Sequence, residues 1–299
     1  MTIQKSDIAP RLKPKRKIKI LPYLLVLPVL VLFGIFTYYP FAKTILYSFA
    51  LTDAKGNFVK WVGLRNWEKI VTKEEFWEIV TITLKFAGMN LVLTFGIAMI
   101  FALLCVKTGK GSRLVQTLFA LPMAIASSPA AAIWLFIYRQ DAGVLNQLLG
   151  TDMAWLRDVS TALPATSVVT SWMHIGTSFI FLLVGFRNVS DDLLEAATID
   201  GANSWQRAWK IMIPLASPQI FFVLFLNITS AFRSFAQIKL LTQGGPAGST
   251  TTLIQEVYNQ AMTHGRFMYA CVYALALFLL IFLTTRIQFL LEKRMVHYQ

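Results

Sequence analysis

Hydrophobic residues occur along the chain in six long blocks separated by polar stretches. Each block has about 20 residues or more, the length that an α-helix needs to cross a hydrocarbon core roughly 30 Å thick. The blocks lie at residues 20–39, 79–106, 114–138, 162–186, 218–235 and 267–289. This pattern predicts an all-α polytopic membrane protein with six transmembrane helices. We expect the first block to end at its TyrTyrPro sequence and to remain uncleaved.

The amino-acid composition is typical of a membrane protein, and it argues against a disulfide framework and a metal site. Of 299 residues, 56% are hydrophobic and only 14% are charged, whereas a soluble domain of this size would expose far more charge. The two cysteines, Cys105 and Cys271, lie inside apolar blocks and exclude a disulfide framework. Three histidines are too few for a typical metal site, so we expect no bound metal.

The positions of the basic residues indicate how the chain is oriented. The net charge of +13 would suit nucleic acid, but seven of the 28 basic residues lie in residues 1–19 and most others flank apolar blocks. Six spans place both termini on one side, and the loops and tails of that side carry 16 Lys and Arg against 10 on the other. We therefore expect cytoplasmic N and C termini, a basic cytoplasmic tail at 1–19, and a cytoplasmic loop at 187–217 between the fourth and fifth helices. No binding to nucleic acid is expected.

The loop 187–217 is polar but has the pattern of two helices around Gly201. Asp192 and Glu195 resemble a capping box at its start, and Asn203 with Gln206 can begin a second helix after the glycine. In the second helix, apolar residues recur at helical spacing and form a stripe of Trp205, Ala208, Trp209 and Met212. We expect Pro214 to end this helix. The pattern alone allows a docking element or a hairpin that packs under its own bundle.

Sequence motifs in this loop are similar to those of a known family. EAATIDGA at 195–202, followed by WQRAWKIMIP at 205–214, resembles the EAA loop of binding-protein-dependent ABC importer permeases of the carbohydrate, maltose-type class. GLRNW at 63–67, LP at 121–122 and TQGGP at 242–246 resemble other segments of that family. The resemblance implies that residues 20–299 form the importer's transmembrane domain and that only the basic tail lies outside it.

In that family the loop is a coupling helix that fits into a cleft of the ATP-binding subunit. The resemblance assigns this role to Glu195, Ala196, Ala197, Asp200, Gly201 and Ala202. It also implies a second homologous permease, two ATP-binding subunits and an extracellular substrate-binding protein, assembled in the lipid of a prokaryotic cell (inner) membrane. The sequence has no phosphate-binding G-x-x-x-x-G-K-[ST] motif, so we expect no enzymatic activity and no cofactor in this chain. ATP and Mg would be held by the partner subunits.

Polar side chains inside spans are costly and often face a substrate pathway. The candidates are Ser127, Trp172, His174, Thr177, Asn227, Ser230, Arg233 and Ser234. By resemblance, spans three to five carry the substrate contacts in sugar permeases, and this matches Ser127, Thr177, Ser230 and Ser234 most closely. The alternative for each small hydroxyl is a bond to a helix carbonyl that aids packing. Arg233 can extend to the membrane interface or bind an anionic group.

These observations predict a permease that translocates a sugar or oligosaccharide. An anionic substrate, such as glycerol phosphate or an acidic sugar, is the alternative within the same class. A secondary carrier is the alternative of another class, but it would require intramembrane carboxylates, and none lies in the middle of the predicted spans. A membrane-embedded transferase would require clustered acids or a base at the membrane surface, and the loops offer no such cluster.

Overall fold

A computed structural model of the protein describes residues 21–295. The predicted basic tail at 1–19 therefore lies outside the described residues. Close contacts divide the described residues into two compact units, one that ends at Thr44 and one that begins at Ile45.

The first apolar block forms a longer helix than the sequence predicts. Helix α1 spans Leu21–Phe33, a π-helical turn follows at Gly34–Tyr38, and α2 spans Tyr39–Ser48. The expectation that TyrTyrPro ends this block is wrong. Pro40 lacks an amide hydrogen, and the wider π turn before it, closed by the bond from the Tyr39 amide to the Gly34 carbonyl, lets the helix continue.

A β-hairpin follows α2, so the fold is mainly but not wholly helical. Strands β1 (Ala50–Thr52) and β2 (Phe58–Trp61) pair antiparallel. In the turn between them, hydrogen bonds from the side chain and the backbone amide of Asn57 hold the pKa of Asp53 below its usual value. A short helix, α3, follows the hairpin at Arg65–Val71.

After α3 the described chain is mainly helical. Its helices are α4 (Glu74–Leu104), α5 (Lys110–Ala120), α6 (Ser127–Ile137), α7 (Val144–Leu149), α8 (Ala162–Arg187), α9 (Asp191–Ile199), α10 (Ser204–Arg207), α11 (Ile213–Leu215), α12 (Ser217–Phe232), α13 (Ala236–Leu241), α14 (Leu253–Tyr258) and α15 (Phe267–Met295). Within residues 21–295, five spans are long and apolar enough to cross a membrane, and a sixth is obtained if one bent helix pair counts as a single span. This agrees with the six predicted blocks.

The bent pair replaces the continuous third span predicted at 114–138. Helix α5 leads into a 3-10 turn at Leu121–Ala124, and α6 then leaves at an angle of 109°. Pro122 has no amide hydrogen to donate, which ends the α-helical bonding of α5, and extended backbone at Ile125 and Ala126 then separates the two pieces. The break makes Ser127 the first residue of α6.

Helices α4 and α8 form the centre of the bundle. Near the C-terminal ends of both helices, Ala98 and Ala102 of α4 belong to one buried cluster with Phe179 and Phe186 of α8. Alanines permit a close approach of the two backbones, which is the usual basis of helix association inside a membrane. The N-terminal end of α4 packs into a second cluster, with α3, α12, α14 and α15.

Candidate functional site

The connection between α8 and α12 contains the helix–glycine–helix unit that the sequence predicts. Helix α9 ends at Ile199, and Gly201 follows two residues later with a φ of +83°, the left-handed conformation that glycine adopts without strain. The amide of Ala202 donates to the carbonyl of Ala197 (2.9 Å), and the amide of Gly201 donates to that of Thr198 (3.1 Å). This is the Schellman arrangement, which satisfies the last carbonyls of a helix.

The start of α9 differs from the prediction. The structure contains no capping box between Asp192 and Glu195, because the N-cap is Ser190 and Asp192 already lies inside the helix. The Ser190 side chain makes no capping bond. Asp191 and Asp192 instead stabilise the first turn through their charge, which complements the positive end of the helix dipole.

The second helix of the unit begins as predicted. The Asn203 side chain accepts a bond from the Gln206 amide and the Gln206 side chain accepts one from the Asn203 amide, both at 2.9 Å. These two bonds form a capping box on α10. The Arg207 guanidinium donates to the hydroxyls of Thr198 and Ser204, and it thereby joins the two helices across the glycine.

Pro214 does not end the helical run. A π-helical turn at Ala208–Met212 precedes it, and the amide of Ile213 donates to the carbonyl of Ala208. As at Pro40, the wider turn accommodates a residue that lacks a donor. The chain then passes through α11 directly into α12, so the unit is joined to α12 by nearly continuous helix.

The apolar stripe of the unit is divided between the bundle and the surface. Met212 is buried in the cluster that includes α4, α8 and α12, and the half-buried Leu194 packs against that cluster. Trp205 and Trp209 are 70% and 53% exposed, their ring centroids are 5.4 Å apart, and Ile199 is 87% exposed. An exposed apolar surface of this kind is typical of a contact with another molecule. One part of the unit thus packs under its own bundle, and the other part is exposed.

The residues predicted to couple lie on this exposed unit. Glu195, Ala196, Asp200 and Gly201 are exposed, whereas Ala197 and Ala202 are half-buried. All six belong to α9 or to the turn that ends it.

Hydrogen bonds fix the end of α8 to neighbouring helices. The Arg187 guanidinium donates to the carbonyls of Cys105 (3.0 Å) and Val106 (3.2 Å) just after α4. The Ser112 hydroxyl of α5 donates to the same Cys105 carbonyl (3.0 Å). Gly185 lies so close to α12 that an added Cβ would be 2.7 Å from the Gln219 side chain. The helices on which the unit rests are thus tightly connected.

Two of the predicted pathway residues form bonds within the protein. Asn227 of α12 donates to the Ser178 hydroxyl of α8 (3.0 Å) and to the Val223 carbonyl (2.9 Å). Ser234 is buried and donates to the Gln237 side chain (3.1 Å); it lies after α12, although the predicted fifth span includes it. These two contacts agree with the alternative in which polar side chains within spans bond to neighbouring groups of the protein and aid packing.

The other predicted pathway residues are at least partly accessible. Trp172, His174 and Thr177 of α8 are half-buried, and the Trp172 ring lies 5.7 Å from the Trp134 ring of α6. Ser127, the first residue of α6, and Ser230, within α12, are half-buried. Arg233 is exposed at the C-cap of α12.

Sequence reasoning missed two polar contacts between helices. The Ser171 hydroxyl of α8 donates to the Asn90 side chain of α4 (3.2 Å), and the Thr83 hydroxyl of α4 accepts a bond from the Leu253 amide (2.9 Å). Asn90, a polar amide in an apolar block, was a visible signal. Its partner could not be identified from the sequence, because 81 residues separate the two.

Comparison with known proteins identifies the family. The family described as "Binding-protein-dependent transport system inner membrane component" matches residues 94–297. The chain belongs to this family. The resemblance stated from the EAA loop is thereby confirmed, and the match includes α8, the helix–glycine–helix unit and α12.

The permease is similar to curated relatives over nearly its whole length. It is 31% identical to the sn-glycerol-3-phosphate transport system permease protein UgpA of Agrobacterium fabrum, covering 94% of this chain and 97% of the relative. It is 32% identical to the protein of that name from Brucella abortus, with the same coverage. The protein of that name from Escherichia coli strain UTI89 is 31% identical and is covered to 99%.

Two solved structures share the fold. One is a bacterial ABC transporter involved in the import of the acidic polysaccharide alginate, with a TM-score of 0.82 at 22% identity, covering 93% of this chain and 96% of that one. The other is an alginate ABC transporter in complex with an alginate pentasaccharide-bound periplasmic protein, with a TM-score of 0.79 at 22% identity and coverages of 92% and 94%.

Proposed function

We propose that this chain is the transmembrane permease subunit of an ABC importer in a prokaryotic inner membrane. It translocates a sugar-type substrate that an extracellular binding protein delivers, and partner subunits hydrolyse the ATP. Both termini are cytoplasmic. The observation that carries the proposal is the exposed helix–glycine–helix unit between α8 and α12, within a chain that belongs to the binding-protein-dependent family.

The exposed face of α9 is suited to contact with an ATP-binding subunit. Ala196 is exposed, and because its side chain is only a methyl group a partner surface can approach the helix closely. Glu195 on the same helix is exposed and can pair with a basic residue of the partner. The Schellman turn at Gly201 and the capping box at Asn203 hold both helices in a defined conformation before docking, which lowers the entropic cost of binding.

Movement of α9 would act on two spans at once. Leu194 and Met212 anchor the unit in the cluster formed by α4, α8 and α12. Arg187 fixes the end of α8 to the backbone after α4, and Gly185 permits close packing of α8 on α12. A shift that follows closure of the ATP-binding subunits would therefore move these helices as a packed group and change access to the pathway.

The substrate is proposed to be a carbohydrate or polyol, and an anionic one fits best among these. The curated relatives are named for sn-glycerol-3-phosphate, and the solved neighbours import alginate, an acidic polysaccharide. Arg233, exposed at the end of α12, offers a cation to such a group, while Trp172, His174 and Thr177 offer a ring and polar atoms on α8. A second homologous permease would supply the other half of the pathway.

Photo-crosslinking from the exposed unit tests this proposal. A photoreactive amino acid replaces Ile199 or, in a second variant, Trp205, and the chain is expressed with its partner permease and ATP-binding subunits. Because both side chains are more than two-thirds exposed, we expect an ultraviolet-dependent product with the ATP-binding subunit. The matched control replaces Trp61, which is 59% exposed in the hairpin, and should give no such product. Equal products from all three positions, or none from 199 and 205, would contradict the proposal.

A further inference from the structure

The β1–β2 hairpin is held between the ends of two membrane spans. Its first strand begins two residues after Ser48, the last residue of α2. In the turn of the hairpin, a Cβ added to Gly56 would lie 3.2 Å from the Phe267 ring, and the Met268 amide donates to the hydroxyl of Thr52 at the end of β1 (3.3 Å). Phe267 and Met268 begin α15, another span. Because each end of the hairpin is fixed at the end of a span, the hairpin runs along the membrane surface.

Hydrogen bonds from α3 hold the base of the hairpin. The Asn66 side chain donates to the carbonyls of Ser48 (3.0 Å) and Ala50 (2.8 Å). The Trp67 indole donates to the Ser48 hydroxyl (3.3 Å). The hairpin therefore presents a surface whose shape is set before anything binds to it, which lowers the entropic cost of a contact.

The outer strand of the hairpin exposes large apolar side chains. Strand β1 is buried or half-buried, whereas all four residues of β2 are exposed. Phe58 is 45% exposed and Trp61 is 59% exposed, and their ring centroids lie 5.0 Å apart. Leu64, just before α3, is 69% exposed. Tryptophan is enriched at membrane–water interfaces because its ring is apolar and its N–H is polar. These side chains thus lie at the level where the interface of a bilayer can cover them.

The charges beside these rings complement the phosphate groups of lipids. Lys60 of β2 and Arg65, the first residue of α3, are both exposed. Asp53 is the only acid of the hairpin, and its carboxylate accepts bonds from the backbone amide (2.8 Å) and the side chain (2.9 Å) of Asn57. The next acid along the chain is Glu68, on α3. Basic side chains can place their apolar stems beside acyl chains while their charged ends reach the headgroups.

We infer that the hairpin docks on the lipid bilayer. Phe58, Trp61 and Leu64 enter the boundary between headgroups and acyl chains, and Lys60 and Arg65 contact lipid phosphates. In the proposed topology this is the outer leaflet. The contact goes beyond the proposed function, because it depends neither on the substrate nor on ATP. A hairpin anchored in this way would hold the ends of α2 and α15 at a fixed depth in the membrane.

Fluorescence quenching tests whether lipid covers the hairpin. An environment-sensitive fluorescent amino acid replaces Trp61 in the assembled transporter, which is reconstituted in vesicles of phosphatidylethanolamine and phosphatidylglycerol. The matched control replaces Thr72, an exposed residue at the C-cap of α3 that precedes the apolar block beginning at residue 79. We expect lipids with a nitroxide near the glycerol end of the acyl chain to quench position 61 about threefold more than position 72, and aqueous iodide to quench it about threefold less.

The quenchers distinguish lipid from water and from protein. Equal iodide quenching at the two positions would show that water covers the hairpin, and it would overturn the inference. Protection of position 61 from both quenchers would also overturn it, since another protein chain would then cover the surface. Equal lipid quenching at the two positions would contradict a specific contact of the hairpin. Because quenching is measured without substrate or ATP, failure of the proposed transport function would leave this result unaffected.

Discussion

Replacing Ala196 with tryptophan is expected to abolish ATP-driven uptake while leaving the chain folded. Ala196 is exposed on α9, so the larger ring extends into solvent and disturbs no contact within the chain. In the assembled transporter the ring would occupy the space that the ATP-binding subunit needs. Loss of a central interface contact typically costs about 2 kcal/mol or more, which corresponds to roughly thirtyfold weaker association. Recovery of the ATP-binding subunits with the tagged permease measures this.

The control for this variant is Ala54→Trp, an exposed alanine in the turn of the hairpin. It adds the same ring to the same chain at a site distant in sequence from α9. The control should retain the ATP-binding subunits in normal amount. Normal recovery of these subunits and normal uptake with Ala196→Trp would show that α9 is not the docking helix.

Replacing Gly176 with alanine is expected to destabilise the bundle at the bend between α5 and α6. An added Cβ would collide with the carbonyl oxygen of Phe119 and would lie 2.8 Å from the Met123 sulfur. Backbone atoms cannot move aside as a flexible side chain can, so the bent span must shift away from α8. Overpacking of this kind typically costs about 1–3 kcal/mol. The midpoint of thermal unfolding in detergent should fall, and uptake should fall with it because His174 and Thr177 lie on the same stretch of α8.

Gly96→Ala in α4 is the matched control, because an added Cβ there meets no other atom within 4 Å. Alanine is also the better helix former, so the unfolding midpoint should stay the same or rise. A similar fall of the unfolding midpoint in both variants would indicate that the effect does not come from the close packing at Gly176. An unchanged midpoint for Gly176→Ala would contradict the close packing of α8 on the bent span.

Sequence reasoning succeeded where local chemistry determines the structure. The helix end at Gly201 and the restart at Asn203 were predictable, because a left-handed turn favours glycine and a capping box needs only residues three positions apart. It failed at Pro40 and Pro214, where a π-helical turn allows the helix to continue. The choice between a break and a π turn depends on the packing around the proline, which the sequence does not display.

For the candidate site too, the sequence predicted the local helix ends but not the contacts between helices. The exposure of Trp205 beside the burial of Met212 could not be predicted, since both belong to one apolar stripe and only the neighbouring helices distinguish them. The pairing of Asn227 with Ser178 also depends on how α8 and α12 meet. Lys69 and Arg266 line the same cavity although almost 200 residues separate them, and neither residue belongs to a motif. Which residues share a face was readable from the sequence, but which faces meet was not.

Uptake into proteoliposomes distinguishes an ATP-driven importer from a secondary carrier. The permease, its partner permease and the ATP-binding subunits are reconstituted, and the substrate-loaded binding protein is added outside with ATP enclosed inside. We predict uptake that requires both the enclosed ATP and the binding protein, and that is lost with Ala196→Trp. Uptake that proceeds without ATP and is driven by an ion or proton gradient would show that the protein is a secondary carrier.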